Sequence, residues 1–247
     1  MLWALMMNKN KFIKNINPLI LNGVAHRGLH NEKYTENGIN AFKWAIENNV
    51  AFELDVHLTK DNKIVVCHDD NLIRTTGKDG IIEELTLSEI KSNYQLFDGS
   101  QIPTLSEVLE ITNEKVPIVV EIKVHNANYK ELTKHTLKVL EKIKDKRNIM
   151  LISFEPRALI CARKAGFMRG LLVCEKDKWV FKFRHLFESV DLEYTMMKDK
   201  NVKRYQKKHF VNVWTIENEE ALKAVDHKVD TITFQHLDLD KIKNALN

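Results

Sequence analysis

The chain has 247 residues, a formal net charge of +4 and a hydrophobic content that is ordinary for a globular protein. The small positive excess could help to attract an anionic substrate or a membrane surface, but it is far from the charge of a nucleic-acid-binding domain, so we expect no nucleic-acid partner. Three cysteines without a C-x-x-C pair argue against a disulfide framework and favour a reducing, cytoplasmic setting.

The first 22 residues form a predicted N-terminal extension. Met1–Met7 is apolar, but it lacks the basic region and the cleavage site of a signal peptide. It is also far shorter than the roughly 20 apolar residues that span a bilayer. We interpret it as a frayed or docked N-terminus. The alternative is a weak membrane-surface contact through residues 1–14, helped by Lys9, Lys11 and Lys14.

From residue 23 to residue 247, short β-rich runs alternate with amphipathic helical patterns, and no flexible linker interrupts them. Such alternation predicts parallel strands with helical crossovers, and eight units close a single (β/α)₈ TIM barrel of about 250 residues. The predicted strands are Gly23–His26, Ala51–Val56, Ile64–Cys67, Pro117–Ile122, Ile149–Ser153, Gly170–Val173, Val190–Tyr194, Phe210–Trp214 and Val229–Phe234. The predicted helices are Asn40–Asn48, Leu105–Thr112, Tyr129–Lys144, Pro156–Lys164 and Asn218–Val225.

Nine predicted strands are one too many for an eight-stranded barrel. The connection from Val56 to Ile64 is too short for a parallel crossover, which needs a dozen or more residues. Its middle, Lys60–Lys63, has the composition of a turn. We therefore expect a hairpin or an irregular strand pair within residues 51–68, at the edge of the barrel.

Two predicted strands carry charged residues near their C-terminal ends, where a barrel places its active site. Glu53 and Asp55 are two residues apart, so their side chains face the same side, and Glu121 and Lys123 repeat this spacing on another strand. Carboxylates that converge at a barrel mouth would repel one another unless a cation lay among them. Oxygen ligands favour Ca²⁺ or Mg²⁺ over zinc. The pattern predicts one bound divalent cation.

Two histidines lie at the ends of other predicted strands: His26 is the last residue of one, and His68 directly follows the other. His26 precedes Arg27, and His68 follows a buried run of apolar residues. Imidazoles titrate near neutral pH and can serve as a base for an attacking hydroxyl and an acid for a leaving oxygen. A single histidine at a strand end is more often structural, and we interpret His57 in that way. The combination of both histidines with the acids and cations indicates phosphoryl transfer from a diester.

This ordered series resembles the glycerophosphodiester phosphodiesterase family, densely over residues 25–123 and thinly beyond. The motifs that carry the resemblance are Ala25–Gly28, Glu36–Asn37, Ala41–Phe42, Glu53–Val56, Thr59, Val65–Asp69, Leu72, Arg74–Gly77, Ile102–Leu105, Glu121–Lys123, Ser153–Phe154 and Val213–Thr215.

The resemblance implies that residues 23–247 are a glycerophosphodiester phosphodiesterase-like TIM barrel that hydrolyses a small glycerophosphodiester to sn-glycerol 3-phosphate and an alcohol. In this family the glycerol 2-hydroxyl is thought to attack phosphorus, and water then opens the resulting cyclic phosphate. The resemblance assigns Glu53, Asp55 and Glu121 to the metal, and His26 and His68 to acid/base catalysis. It also assigns Arg27 and Lys123 to the phosphate and Trp214 to the glycerol side. Glu36 is assigned to a substrate hydroxyl or to the surroundings of the site rather than to the metal.

Two stretches depart from the family pattern. In Val229–His236 no acid occupies the family's Thr-Asp position, which affects the contacts of the last strand with the substrate. Gly38 replaces the polar residue that is common after Glu36–Asn37. Two alternatives remain open: a lysophospholipase D-like activity on longer-chain lipids, and a non-catalytic barrel that binds a phosphorylated ligand. The presence of both histidines and all three acids argues against the second.

Residues 179–187 form an amphipathic stripe with basic neighbours. Trp179, Phe183 and Phe187 recur at helical spacing, and Lys176, Lys178, Lys182 and Arg184 flank them. We interpret the segment as a helix that packs on the barrel. The alternative is a second membrane contact, a lipid-binding lip near the active site. We expect membrane association of this cytoplasmic protein only through this segment or residues 1–14.

Overall fold

The computed structural model of the chain describes residues 7–225 and 229–246. Eight parallel strands form a closed barrel in the order β1-β9-β8-β7-β6-β5-β4-β2, and pairing of β1 with β2 completes the ring. The predicted TIM barrel is confirmed. The strands are β1 Val24–Ala25, β2 Ala51–Leu58, β3 Ile64–Val66, β4 Ile118–Ile122, β5 Ile149–Ser153, β6 Met168–Val173, β7 Ser189–Glu193, β8 Val211–Ile216 and β9 Thr231–Phe234.

The helices surround the barrel, and several begin at clear capping residues. Thr104 caps α5 in a capping box with Glu107, and Thr86 does the same for α4 with Glu89. Among the helices of the described ranges, none has both the length and the apolar character needed to cross a membrane. The α-helices are α1 Lys9–Lys14, α2 Ile39–Glu47, α3 Ile73–Thr76, α4 Leu87–Asn93, α5 Leu105–Thr112, α6 Tyr129–Leu140, α7 Pro156–Cys161, α8 Lys200–Gln206, α9 Glu219–Val225 and α10 Leu239–Leu246. Short 3₁₀ helices are Pro18–Asn22, Ile82–Glu84, Lys146–Asn148, Ala162–Lys164, Lys178–Leu186 and Tyr194–Lys198.

The ninth strand, β3, forms an antiparallel hairpin with the end of β2, as the short connection predicts. Val56 pairs with Val66 and Leu58 pairs with Ile64. The hairpin reverses the chain, so that the residues after β3 return to the C-terminal end of β2. The backbone N–H of Cys67 donates to the carbonyl of Asp55 at 3.1 Å. His68 is thereby brought back to the mouth of the barrel.

The two faces of β2 have different partners. Phe52, Leu54 and Val56 belong to the large core between the strands and the helices, and Phe52 stacks on Phe42 of α2 with ring centroids 4.7 Å apart. Side chains alternate along a strand, so the odd-numbered residues of β2 point into the barrel. This alternation places Glu53 and Asp55 inside.

The N-terminal segment closes the opposite end of the barrel. Phe12 of α1 is fully buried and stacks on Phe210, with ring centroids 4.3 Å apart. Ile16 and Ile20 are also buried and share a cluster with interior residues such as Val119 at the strand starts. This segment therefore supplies part of the hydrophobic core.

Replacement of Phe12 by Ala is expected to lower the free energy of unfolding by about 3–5 kcal/mol, because it removes a buried aromatic ring and leaves a cavity. Urea denaturation followed by circular dichroism would measure the loss. Lys11→Ala on the exposed side of α1 serves as the control and should change little. Equal stabilities of the two variants would contradict the packing described for Phe12.

Candidate active site

Three buried acids lie together at the C-terminal end of the barrel. Asp55 on β2 is in register with Glu121 on the neighbouring β4, and Glu53 lies one inward-facing position below Asp55. One carboxylate oxygen of each lies within 4.8 Å of the others. Among the described residues, Glu53 Oε1 is buried without a hydrogen-bond partner. These three residues, the carboxylate cluster, offer the oxygen donors that a hard divalent cation prefers.

The three carboxyl groups do not share one charge state. Burial, with Asp55 and Glu121 beside it, raises the pKa of Glu53 well above its usual range. Burial also raises the pKa of Glu121, to about 7. Burial would raise the pKa of Asp55 too, but the cationic Lys123 and Arg27 outweigh it and hold that pKa well below its usual range. A bound cation would favour ionisation of all three, so these residues fit a metal.

Two cationic side chains border the carboxylate cluster. Lys123 Nζ lies 3.0 Å from Glu121 Oε1 and 3.7 Å from Asp55 Oδ1. Arg27 Nε lies 3.4 Å from Asp55 Oδ2, and the Arg27 backbone N–H donates to Glu53 Oε2 at 3.0 Å. Arg27 has a φ of 56°, which turns the chain sharply after β1. Both cations are therefore held where an anion at the barrel mouth would meet them.

His26 follows β1 and is oriented by a residue of the last strand's extension. Its Nδ1 lies 2.6 Å from Gln235 Oε1, and Gln235 Nε2 donates to Glu217 Oε1 at 2.7 Å. Because the amide N–H faces Glu217, the amide oxygen faces His26 and accepts the Nδ1 proton. Burial, with Arg27 nearby, lowers the pKa of His26 to about 4. The neutral imidazole thus keeps Nε2 free to accept a proton.

His68 is held from both sides. Its Nδ1 lies 2.6 Å from Asp69 Oδ1, and Lys123 Nζ lies 3.1 Å from its Nε2. His57 is buried next to His68. Its Nε2 lies 3.1 Å from the His68 carbonyl oxygen, and its Nδ1 lies 2.7 Å from Glu83 Oε1. Burial lowers the pKa of His68, and the charges of Lys123 and Arg27 act in the same direction. The contacts of His57 are those of a positioning residue.

An ion-pair chain links the two histidine loops. Arg27 donates to Glu36 Oε1 at 2.8 Å, and Arg74 binds both oxygens of Glu36 at 2.7 and 2.9 Å. Arg74 also contacts Asp69, which holds His68. Glu36 thus lies beside Arg27 and is one of the residues that surround the site. Although burial opposes it, the hydrogen bonds from Arg74 and the charge of Arg27 lower the pKa of Glu36 to about 2.

Glu36→Gln is expected to lower the free energy of unfolding at pH 7 by up to about 3 kcal/mol, since a pKa lowered from 4.5 to about 2 is worth about 1.4 kcal/mol per unit. A carboxyl group with a lowered folded-state pKa stabilises the protein above its unfolded pKa and ceases to do so as the pH falls. The difference from wild type should therefore shrink from pH 4.5 towards pH 2. Urea titrations between pH 3 and 7 would measure it, and a pH-independent difference would contradict the ion-pair chain.

Two connected spaces meet at this site. An inner cavity of about 90 Å³ lies in the barrel mouth and is lined by His26, Trp214 and the polar residues of β7 to β9. An outer groove of about 660 Å³ is lined by Asp70, His125, Phe154 and neighbouring residues. His68 and Phe154 border both spaces. The Phe154 ring lies edge-on to Trp214, with ring centroids 5.5 Å apart.

Sequence reasoning missed several side chains that shape the site. The side chain of Asn37 donates to Asp55 Oδ2 at 2.8 Å and accepts from the Asp55 backbone N–H. Asn37 belongs to the motif Glu36–Asn37, but the sequence did not predict a role for it. Gln235 lies in the altered stretch Val229–His236, which contacts His26 through this residue. Asp191 and Asn212 lie outside the motifs that carry the resemblance, although Asp191 and Glu193 repeat the two-residue spacing of Glu53 and Asp55.

The segment at 179–187 lies after β6 as a 3₁₀ helix rather than an α-helix. Val180 and Phe181 are buried against the barrel, whereas Trp179 is 59% exposed. Lys182 Nζ lies 4.9 Å from the Trp179 ring centre and 5.0 Å from that of Phe183. The segment thus packs on the barrel through one face and leaves an aromatic and basic edge exposed.

The chain is similar to known proteins in sequence and in fold. The sequence model of the Glycerophosphoryl diester phosphodiesterase family matches residues 26–239. A glycerophosphodiester phosphodiesterase of Caldanaerobacter subterraneus subsp. tengcongensis is 36% identical over 149 residues, which are 57% of this chain and 61% of that protein. Lysophospholipase D GDPD1 of Homo sapiens is 36% identical over 116 residues, 42% of this chain and 36% of that protein. The matched part of the chain thus covers about three fifths of the length of the first relative and about one third of the length of the second.

Solved structures show the same fold. The glycerophosphodiester phosphodiesterase of Thermotoga maritima has a TM-score of 0.72 and 29% identity, covering 89% of this chain and 94% of that one. A phosphodiesterase of Oleispira antarctica, solved in complex with the product sn-glycerol-3-phosphate, has a TM-score of 0.76 and 24% identity, covering 90% of this chain and 95% of that one.

Proposed function

The chain belongs to the glycerophosphoryl diester phosphodiesterase family, and from that premise we propose that it hydrolyses glycerophosphodiesters to sn-glycerol 3-phosphate and an alcohol. The observation that carries the proposal is the meeting of His26 and His68 at one inner cavity that also borders Arg27, Lys123 and acids of the carboxylate cluster. The sn-glycerol-3-phosphate bound to the Oleispira antarctica enzyme, which has the same fold, supports the choice of product.

The carboxylate cluster would hold one divalent cation, Ca²⁺ or Mg²⁺. Its donors are all carboxylate oxygens, and the unpartnered Glu53 Oε1 is the kind of buried atom that a cation would satisfy. When bound, such an ion supplies positive charge that polarises the phosphate. Arg27 and Lys123 border the same cavity and bind the phosphate oxygens, which fixes the diester in place.

The position of each histidine relative to the two spaces supports one role for each, His26 as the base and His68 as the acid. His26 borders the inner cavity, which suits the glycerol moiety, so its Nε2 takes the proton of the glycerol 2-hydroxyl as that oxygen bonds to phosphorus. His68 also borders the outer groove, where the alcohol lies. It first takes up a proton from the solvent in this groove, and it gives that proton to the alcohol oxygen as the P–O bond breaks. Water then opens the cyclic phosphate with the roles of the two histidines reversed.

The test is a coupled assay for glycerol 3-phosphate released from glycerophosphocholine. We expect release by the wild type in the presence of Ca²⁺ or Mg²⁺ and its loss in EDTA. A panel with other alcohols in place of choline would define the head group. The absence of release from every glycerophosphodiester would refute the proposal.

A lysophospholipase D-like activity is the second candidate. The 36% identity to human lysophospholipase D GDPD1 over 116 residues favours it, and it would use the same residues on a substrate whose glycerol carries an acyl chain. Lysophosphatidylcholine in the same assay, with choline release as the readout, distinguishes the two candidates. A non-catalytic phosphate-binding barrel would give no product in either assay.

Membrane contact and a cytoplasmic location stay predictions. The exposed Trp179 beside Lys182 supports a contact through residues 179–187. In residues 1–14 the buried Phe12 faces the barrel, and residues 1–6 lie outside the described ranges. Within the described ranges, residues 179–187 therefore offer the better-exposed apolar surface.

A further inference from the structure

The wall of the inner cavity made by β7 to β9 is polar, although it lies inside the barrel. Asp191, Asn212 and Thr233 all border this cavity, and each is at most 3% exposed. Asp191 and Asn212 are directly paired in the register of β7 and β8. Buried polar groups are normally satisfied by hydrogen bonds, so this polar wall needs partners.

The hydrogen bonds inside this wall leave one amide oxygen atom unused. Asn212 Nδ2 donates to Asp191 Oδ2 at 2.9 Å and to Thr233 Oγ1 at 2.8 Å, which uses both amide protons. The other carboxylate oxygen of Asp191, Oδ1, faces the Ser189 hydroxyl, which also hydrogen-bonds to Asp191. Among the described residues, Asn212 Oδ1 is buried without a hydrogen-bond partner. An unused acceptor in the residues that line the cavity favours a ligand that donates a proton.

A hydroxyl group matches this wall better than a purely accepting group. Burial raises the pKa of Asp191 to about 7, so the carboxyl group can present either an acceptor or a donor near neutral pH. The Thr233 hydroxyl accepts from Asn212 and keeps its own proton. Since a hydroxyl both donates and accepts, it can satisfy each of these states.

Glycerol has one polar group left for this wall. In the proposed function the phosphate lies with Arg27 and Lys123, and the 2-hydroxyl faces His26. The terminal hydroxyl is the remaining polar group. The inner cavity of about 90 Å³ is much smaller than the outer groove of about 660 Å³, so it suits a three-carbon polyol better than an acyl chain.

Building on the proposed function, we propose that Asp191, Asn212 and Thr233 bind the free terminal hydroxyl of the glycerol moiety and restrict the enzyme to glycerophosphodiesters without an acyl chain. Trp214 supports this wall, because its indole N–H donates to the Asp191 carbonyl at 3.0 Å. The wall would thereby exclude lysophospholipids on two grounds, the lost hydroxyl and the added volume.

The first test needs no mutation. The wild type would be assayed with glycerophosphocholine and with the phosphocholine diester of propane-1,2-diol, which keeps the attacking hydroxyl and lacks the terminal one. We expect kcat/KM to fall by about 10- to 100-fold for the diol, the effect of leaving a hydrogen bond to a buried charged group unmade. Equal kcat/KM values would overturn the proposal and would mean that the wall holds only ordered water.

The second test locates the effect. Asp191→Asn keeps the side-chain shape and an oxygen for Asn212, but it removes the carboxylate. It should lower kcat/KM for glycerophosphocholine by about 10-fold or more and change the propane-1,2-diol substrate little, so the ratio between substrates falls towards one. A purely structural role would lower both substrates equally. Asp240→Asn, the same substitution at an exposed position of α10 that lines neither space, is the control and should keep the wild-type ratio.

A third arm separates this inference from the proposed function. Hydrolysis of lysophosphatidylcholine as fast as glycerophosphocholine would overturn the inference while leaving diester hydrolysis intact. No product from any diester would remove the proposed function and this inference together. Release from glycerophosphocholine with at least a 10-fold preference over both analogues is the supporting result.

Discussion

Replacement of His68 by Ala is expected to lower kcat/KM for glycerophosphocholine by about 10²- to 10⁴-fold, the usual contribution of a general acid or base. The choline oxygen is a poor leaving group, and His68 borders the outer groove where it would depart. In a substrate with p-nitrophenol in place of choline, the leaving group is p-nitrophenolate, which departs without being protonated. His68→Ala should therefore retain most of the ring-closing rate on that substrate, followed as p-nitrophenol release.

The opposite result is expected for His26. Its Nε2 is proposed to take the proton of the attacking hydroxyl, which is the same in both substrates. His26→Ala should therefore lose about 10²- to 10⁴-fold on both. His135→Ala on the barrel surface, away from both spaces, is the control and should behave as wild type. Rescue of His26→Ala and not of His68→Ala by p-nitrophenol would reverse the two assignments.

Removal of one carboxylate of the proposed metal site is expected to have the second large effect. Glu53→Gln should lower kcat/KM at least about a hundredfold, because a metal ion supplies several kcal/mol and each ~1.4 kcal/mol is tenfold in rate. A second readout is independent of activity. Ca²⁺ or Mg²⁺ at about 100 times its Kd should stabilise the wild type by about 2.7 kcal/mol, seen as a rise in Tm, and this rise should vanish in Glu53→Gln.

Glu53→Gln is well suited to this test because its effect on the metal-free protein should be small. The raised pKa of Glu53 favours the uncharged carboxyl when no cation is bound, and the amide has the same shape. Glu131→Gln on the surface of α6 is the control and should keep both the activity and the rise in Tm. Full activity of the wild type in EDTA, or an unchanged rise in Tm in Glu53→Gln, would contradict the metal site.

Local patterns were sufficient for the order of the strands, whereas helices α8 and α10 were not predicted. The alternation of β-rich runs with helical stripes predicted all nine strands, and the short link between Val56 and Ile64 predicted the hairpin. The excursion between β3 and α5 was not predicted in detail. Its helices α3 and α4 are only four and seven residues long, so periodicity is weak, although the capping box Thr86–Glu89 marks the start of α4.

The candidate site was predicted only where chemistry and spacing coincide. Glu53 and Asp55 are two residues apart, so strand geometry alone places them on one side. Asn37, Gln235 and Arg74 could not be placed in this way, because each acts on a partner that is distant in sequence. Asn37 binds Asp55, Gln235 binds His26 across the chain, and Arg74 binds Glu36.

The sequence by itself determined the fold class, because two periodicities and the chain length are local properties, and it nominated both histidines and the carboxylate cluster through residue type at strand ends. Closure of the barrel decided the rest. Pairing of β1 with β2 and β9 brings His26 next to Glu53 and Gln235, and the β2–β3 hairpin returns His68 to Lys123. The polar wall of Asp191, Asn212 and Thr233 exists only because three separate strands lie side by side and share one buried face.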